Sequence, residues 1–158
     1  MPISKIKFSE DPKDLPSELF AEIAEQVAKY IKHIHQCDKK EHILYIDKKG
    51  KPKFKCNSKS NKQTQLRKFY DELAMWNEKV QLNRENRDEE YKKQEVFIKM
   101  LKAKVAYAEG RGHIDIHFSE VFNQVMDQIE NAITLKYAKL FMEAVMGYCK
   151  YFEEKNKN

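Results

Sequence analysis

The sequence predicts an all-α fold, a compact bundle of about five helices with a basic loop or small hairpin between the first two. Three observations carry this reading. Apolar residues recur at spacings of three and four along most of the 158-residue chain. Gly and Pro supply only four residues each, so helices are rarely interrupted. Charged residues make up 35% of the sequence, above the ~25% of an average domain, which suits helices with wide solvated faces. The length favours a single domain spanning 1–158. Seventeen Phe and Tyr plus Trp76 are ample core material and argue against disorder.

Residues 1–13 read as a flexible polar arm. Asp14 or Ser17 can cap a first helix, and Pro16 suits its first turn. Leu19, Phe20, Ile23, Val27, Ile31 and Ile34 then mark an amphipathic helix over about 17–36. Residues 41–56 break the pattern and form a basic insertion holding five lysines. There, Ile43-Leu44-Tyr45-Ile46 is a short apolar run and Asp47-Lys48-Lys49-Gly50 a turn signal. A small β-hairpin and an ordered loop both fit, with Pro52 excluding a central strand.

Ser60 with Gln63 reads as a capping box. It would open a second helix over about 62–82 whose inner face is Leu66, Phe69, Leu73, Trp76 and Val80. The polar stretch 83–90 is an exposed connection or a solvated helix. A third helix covers about 89–109, with Phe97, Met100, Leu101, Val105 and Ala108 inward, and Gly110 offers a left-handed end. From Asp115 or Ser119 onward, Phe118, Phe122, Val125, Met126, Ile129 and Ile133 share a face. Leu135, Ala138, Phe141, Met142, Val145, Tyr148 and Phe152 continue it after a phase change near Thr134, so two helices are expected.

The chain carries a formal net charge of +5, but the charge is uneven. Thirteen Lys or Arg lie between Lys29 and Lys68, against three acids, Asp38, Glu41 and Asp47. A basic segment leading into a helix entrance suits phosphate. On the second helix, Arg67 and Lys68 point away from the Leu66–Phe69–Leu73 side, and Gln65 lies at its flank. Lys99, Lys102, Lys104 and Arg111 form a second basic element. Charge alone leaves nucleic-acid binding and an ordinary solvated surface evenly weighed.

Other chemistries find less support. His33, His35 and Cys37, with His42 or Cys56, lack the spacing of a tetrahedral zinc set. His113 and His117 fall in an expected loop. No serine-hydrolase, zincin or phosphate-loop motif is present, and most acids sit among lysines on polar faces. No catalytic residue, metal or cofactor is expected. Cys149 reads as core, while Tyr45, Tyr70 and Tyr107 are the aromatics left unassigned to it. No 18-residue apolar run spans a membrane, and the N-terminus lacks a signal-peptide core. Three cysteines fit a reducing compartment, so cytoplasmic localisation is expected.

Three segments carry a family resemblance. Thr64-Gln65-Leu66-Arg67-Lys68-Phe69-Tyr70 resembles the T-x-[IL]-R-K-F-y element of the small subunit of type III-A CRISPR effectors, the Csm complex. Leu101 to Arg111 resembles its L-K-x-K-x-A-Y-x-x-G-R segment, and Phe141 to Tyr148 its F-x-E-A-x-x-x-Y helix. The resemblance spans residues 62–152. It implies a non-catalytic helical subunit of an antiviral complex, stacked in several copies as a filament along the effector, with a homodimer as an option for the isolated chain. It also implies contact with other subunits and a channel holding guide RNA and target RNA. The RNA-binding residues whose motif positions match are Arg67, Lys68, Lys102, Lys104 and Arg111; Lys62 and Gln65, at the basic helix entrance, complete the candidate RNA-binding set, Gln65 standing at a variable position of the motif. RNA duplexes are held through backbone and shape, so sequence-blind phosphate contacts fit this role. The alternative is a helical protein–protein adaptor whose basic residues face acidic neighbours.

Overall fold

The computed structural model describes residues 2–34, 45–46, 49, 52–53 and 61–155. Single 3₁₀ turns at Pro2–Lys5 and Pro12–Asp14 precede a π-helical turn, Leu19–Ile23, that leads into α1, Ala24–Ile31. Two short strands follow, β1 (Tyr45–Ile46) and β2 (Pro52–Lys53), paired antiparallel with Tyr45 opposite Lys53. The remaining elements are α2 (Gln63–Leu82), α3 (Arg87–Lys99), α4 (Leu101–Gly110), α5 (Ile116–Asp127) and α6 (Ala132–Lys155). The fold is an all-α bundle, and the inserted segment carries a minimal hairpin.

Helix α6 is the centre of the bundle, with α1 and α2 lying along it and α4 packing on α5. The expected inner faces are largely the observed ones. Leu66, Phe69, Leu73 and Val80 of α2 are buried, as are Leu135, Ala138, Phe141, Met142, Val145 and Phe152 of α6. Phe69, Phe118 and Phe122 join their rings at 5.6–6.0 Å between centroids. Tilted aromatic pairs at that separation are favourable beyond their buried area.

Four boundaries differ from expectation, each for a local reason. The segment read as a loose arm lies against the bundle: Ile6 is fully buried, and Phe8 meets Phe141 with ring centroids 5.9 Å apart. The Phe8 amide also donates to Gln128 Oε1 at 2.7 Å. The first helix ends at Ile31 rather than near residue 36. His33 turns to φ 54°, and the amides of His33 and Ile34 close back on the carbonyls of Tyr30 and Lys29. That pair of bonds is the Schellman ending, here with His in the place Gly usually takes.

The third helix divides at Met100 into α3 and α4. Tyr91 and Ile98, two turns apart, are the buried stripe of α3. Phe97 therefore falls beside the core, 54% exposed and stacked on Trp76 at 6.0 Å, and Met100 is 56% exposed. At the end of α4 the left-handed residue is Gly112, φ 76°, not Gly110, which stays helical. The amides of Gly112 and His113 return to the carbonyls of Glu109 and Ala108 at 3.0 Å each, a second Schellman ending.

The last two helices meet at residues 128–131, just before the expected phase change. Asn131 Oδ1 accepts the Thr134 amide at 2.9 Å, and Thr134 Oγ1 accepts the Asn131 amide at 3.0 Å. This reciprocal cap starts α6. The polar stretch before α3 is a short turn, and Asp88 Oδ1 reaches across to accept the Ala132 amide at 3.0 Å.

Candidate nucleic-acid interface

Helix α2 begins two residues after a left-handed position. Asn61 has φ 55° and is fully buried, and Lys62 holds the N-cap with extended backbone and no side-chain cap bond. The expected capping residue, Ser60, lies outside the described residues. Asn is among the few residues that tolerate the left-handed region. Here its side chain is also fully used: Nδ2 donates to Ile31 O at 3.0 Å and to Asp115 Oδ1 at 2.6 Å, while Oδ1 accepts the Asp115 amide at 2.9 Å. Its carbonyl accepts Lys32 Nζ at 2.7 Å, and that buried ammonium also pairs with Glu153 at 3.1 Å. The entrance of α2 is thus tied to the ends of α1 and α6 and to the start of α5.

Beside this entrance is a cleft of about 480 Å³ lined by Lys62, Gln63, Thr64 and Arg67 from α2 and its cap, and by Lys150 and Glu153 from α6. Gln63 Nε2 donates to Met146 O at 3.2 Å and fixes the two walls. Arg67 is widely exposed and only loosely paired with Asp71, at 3.9 Å. Lys150 pairs with Glu154 at 2.8 Å, and that hydrogen bond holds its ammonium above the ordinary lysine pKa.

The structure divides the sequence-predicted residues between two sides. Successive helical residues differ by about 100°, so Arg67 turns toward α6 and the cleft while Lys68 turns the other way. Lys68 Nζ donates to Gln65 Oε1 at 3.4 Å, on the side facing α4. Lys104 of α4 pairs with Glu72 at 2.7 Å, one turn beyond Lys68. Lys102 pairs with Asp127 at the end of α5, at 2.5 Å. Arg111 lies over the Tyr107 ring at 5.8 Å. Lys62 and Arg67 therefore share the cleft, Gln65 and Lys68 flank it, and Lys102 and Lys104 are engaged elsewhere.

Sequence reasoning missed Lys150 and Glu153, which only the pairing of α2 with α6 brings to the cleft. It also missed the polar cluster beneath. His33 Nε2 meets Asp115 Oδ2 at 2.5 Å, and His117 stacks between His33 and Tyr30 with centroids 4.0 Å from each. His117 is in the first turn of α5, not in a loop, and its Nδ1 bonds to Tyr30 O at 2.8 Å. Burial, then the hydrogen bond to Glu120, pushes the Tyr30 phenol up to about 12. Burial alone would raise the Asp115 carboxyl. The hydrogen bonds from Asn61, His33 and the Phe118 amide outweigh it and hold the group below the ordinary value.

Among the described residues, no group of three His, Cys, Asp or Glu side chains is placed to hold a metal ion. His35, His42, Cys37 and Cys56 lie outside the described residues. No helix among the described residues is long and apolar enough to cross a membrane.

Comparison with known proteins adds one finding. No curated protein and no solved structure matches the chain. The model of the family described as Csm2 Type III-A matches residues 47–155. That span holds α2 through α6, both walls of the cleft and the three motif segments. The chain belongs to the Csm2 family, the small subunit of the type III-A Csm complex.

Proposed function

We propose that this subunit is a non-catalytic RNA-binding component of the interference complex, acting in the cytoplasm in antiviral defence. It lines the channel for guide RNA and target RNA through sequence-independent phosphate contacts. The observation that carries the reading is the cleft at the entrance of α2, where Lys62 and Arg67 face Lys150 across about 480 Å³. Lys68 and Arg111 extend the basic surface on its α4 side. Gln65 orients Lys68 rather than meeting phosphate itself. Lys102 and Lys104 contribute only where their carboxylate partners are displaced, an exchange that is inexpensive for exposed ion pairs.

The test uses the assembled complex. Arg67→Ala combined with Lys62→Ala is expected to weaken target-RNA binding and to flatten its salt dependence, since each lost phosphate contact removes about 0.7 from the slope on single strands. Unchanged affinity and slope would overturn the site. Weak binding by the isolated subunit is expected, because copies stacked along one RNA act multivalently.

One observation favours an adaptor role beside this one. Met75, Val96, Phe97 and Met100 are 49–75% exposed around the Trp76–Phe97 stack. Exposed apolar patches of this kind mark protein contacts. We assign this face to a neighbouring subunit, whether another protein of the complex or a further copy of this chain. Phe97→Ser should then reduce incorporation into the complex while leaving the isolated fold intact. If RNA crosslinks are absent from α2 in the purified complex, the adaptor role alone accounts for the chain.

A further inference from the structure

We propose that Tyr107, backed by Arg111, is a stacking platform for one unpaired nucleobase of RNA. The proposal deepens the RNA-binding reading and rests on it. Tyr107 is in the last turn of α4, between buried Val105 and Ala108, yet is itself 66% exposed. Its ring therefore adds little to the core. Arg111, one turn on, places its guanidinium 5.8 Å from the ring centroid and donates from Nη1 to the Tyr107 hydroxyl at 3.2 Å. These two contacts fix the ring and attach a permanent positive charge to it. The Arg111 backbone is fixed in turn, because its amide closes on Tyr107 O at 3.0 Å within the Schellman ending.

The surroundings are open. Two thirds of the Tyr107 surface is open to solvent, which leaves the ring accessible to a flat ligand. The position is also informative. Four residues beyond Arg111, Asp115 bonds to Asn61, which directly precedes Lys62. Earlier on α4, Lys104 bonds to Glu72 of α2. Helix α4 thus runs back along α2 toward its entrance, and the Tyr107 ring comes to the same end of the bundle as the basic cleft.

The ligand class follows from chemistry. An exposed aromatic ring beside a guanidinium binds the flat face of a base by stacking, and the cation meets the adjoining phosphate. Bases inside a duplex have both faces covered by neighbours, so the occupant is an unpaired nucleotide. Stacking tolerates any base, which suits a subunit that must accept every guide.

The experiment compares Tyr107→Ala, Tyr107→Phe and Arg67→Ala in the assembled complex. Each is titrated with a target RNA bearing unpaired nucleotides and with the same RNA made abasic at those positions. Tyr107→Ala should weaken binding of the first RNA by roughly 5- to 150-fold, the range for loss of one stacked base. It should leave the salt slope and the abasic RNA unaffected, and Tyr107→Phe should behave as the original. In the isolated chain, Tyr107→Trp should gain fluorescence that single-stranded RNA quenches and a blunt duplex does not. Equal affinity of Tyr107→Ala and the original chain for both RNAs, with Arg67→Ala impaired, overturns the platform alone. Failure of Tyr107→Ala to enter the complex, with its fold intact, also overturns it and makes the ring a protein contact. If Arg67→Ala is without effect as well, the RNA-binding reading itself falls.

Discussion

Asn61 sits at φ 55° with no exposed surface, and its amide bonds both the end of α1 and the cap of α5. Asn61→Ala would leave Ile31 O and the Asp115 amide without their partner and put into the left-handed region a residue that tolerates it less well than Asn. We expect a loss of about 2–4 kcal/mol, combining unmade buried hydrogen bonds with backbone strain. Asn61→Gly keeps the conformation and should cost about 1 kcal/mol less; equal losses in urea denaturation would show that backbone geometry is not part of the effect. Asp115 makes a second prediction. Its carboxyl is held below the ordinary value, so the folded state prefers the ionised form. That stability is fully present above the unfolded value, about pH 4, and is lost as pH falls through the lower folded value. Thermal melts should therefore find Asp115→Asn much less stable than the original at pH 7, with the gap narrowing below pH 4; a gap independent of pH would exclude an ionised cap. Asp115 was readable as a candidate helix start, and it is the cap of α5; Asn61 did not stand out. An Asn among Asn57, Ser58 and Ser60 reads as one more loop residue, and only the meeting of three helix ends gives it partners.

The helices themselves were readable because burial imposes a period on the sequence, and the inner faces of α2, α5 and α6 are close to those the spacing predicts. Helix ends were less readable, since they depend on one backbone angle that neighbouring residues compete to adopt. Gly110 and Gly112 show the competition. Both could end α4, but only Gly112 lets the next amides close on Glu109 and Ala108. Gly112→Ala should cost about 1–2 kcal/mol for the left-handed backbone, a fall of several degrees in Tm for a chain of this length. Gly110→Ala lies in a helix with open space around it and should be neutral or stabilising by up to about 1 kcal/mol. The opposite order in differential scanning calorimetry would return the helix end to Gly110. The division at Met100 was illegible for a related reason: α3 and α4 each keep a helical period, and the change of phase between them falls within what a slightly curved helix would show.

At the scale of the whole molecule, the sequence showed that charge was concentrated but not which charges were available. The lysines of the second motif segment looked equivalent to those of the first. Folding sets Lys102 against Asp127 and Lys104 against Glu72, 25 and 32 residues away, and no local pattern announces either pair. Lys62, Arg67, Lys68 and Arg111 remain on the exposed surface without such close carboxylate partners among the described residues. Counting these four as the phosphate contacts of one copy gives a salt slope near −2.8 on single-stranded RNA, at about 0.7 per contact. Raising salt fourfold, from 50 to 200 mM, should then weaken binding by the isolated chain roughly 50-fold. Lys102→Ala with Lys104→Ala should leave that slope unchanged, and Arg67→Ala with Lys68→Ala should bring it to about −1.4. A slope near −4 that falls when Lys102 and Lys104 are removed would mean that RNA opens both ion pairs. The interface would then extend along α4 to Asp127 rather than ending at the entrance of α2.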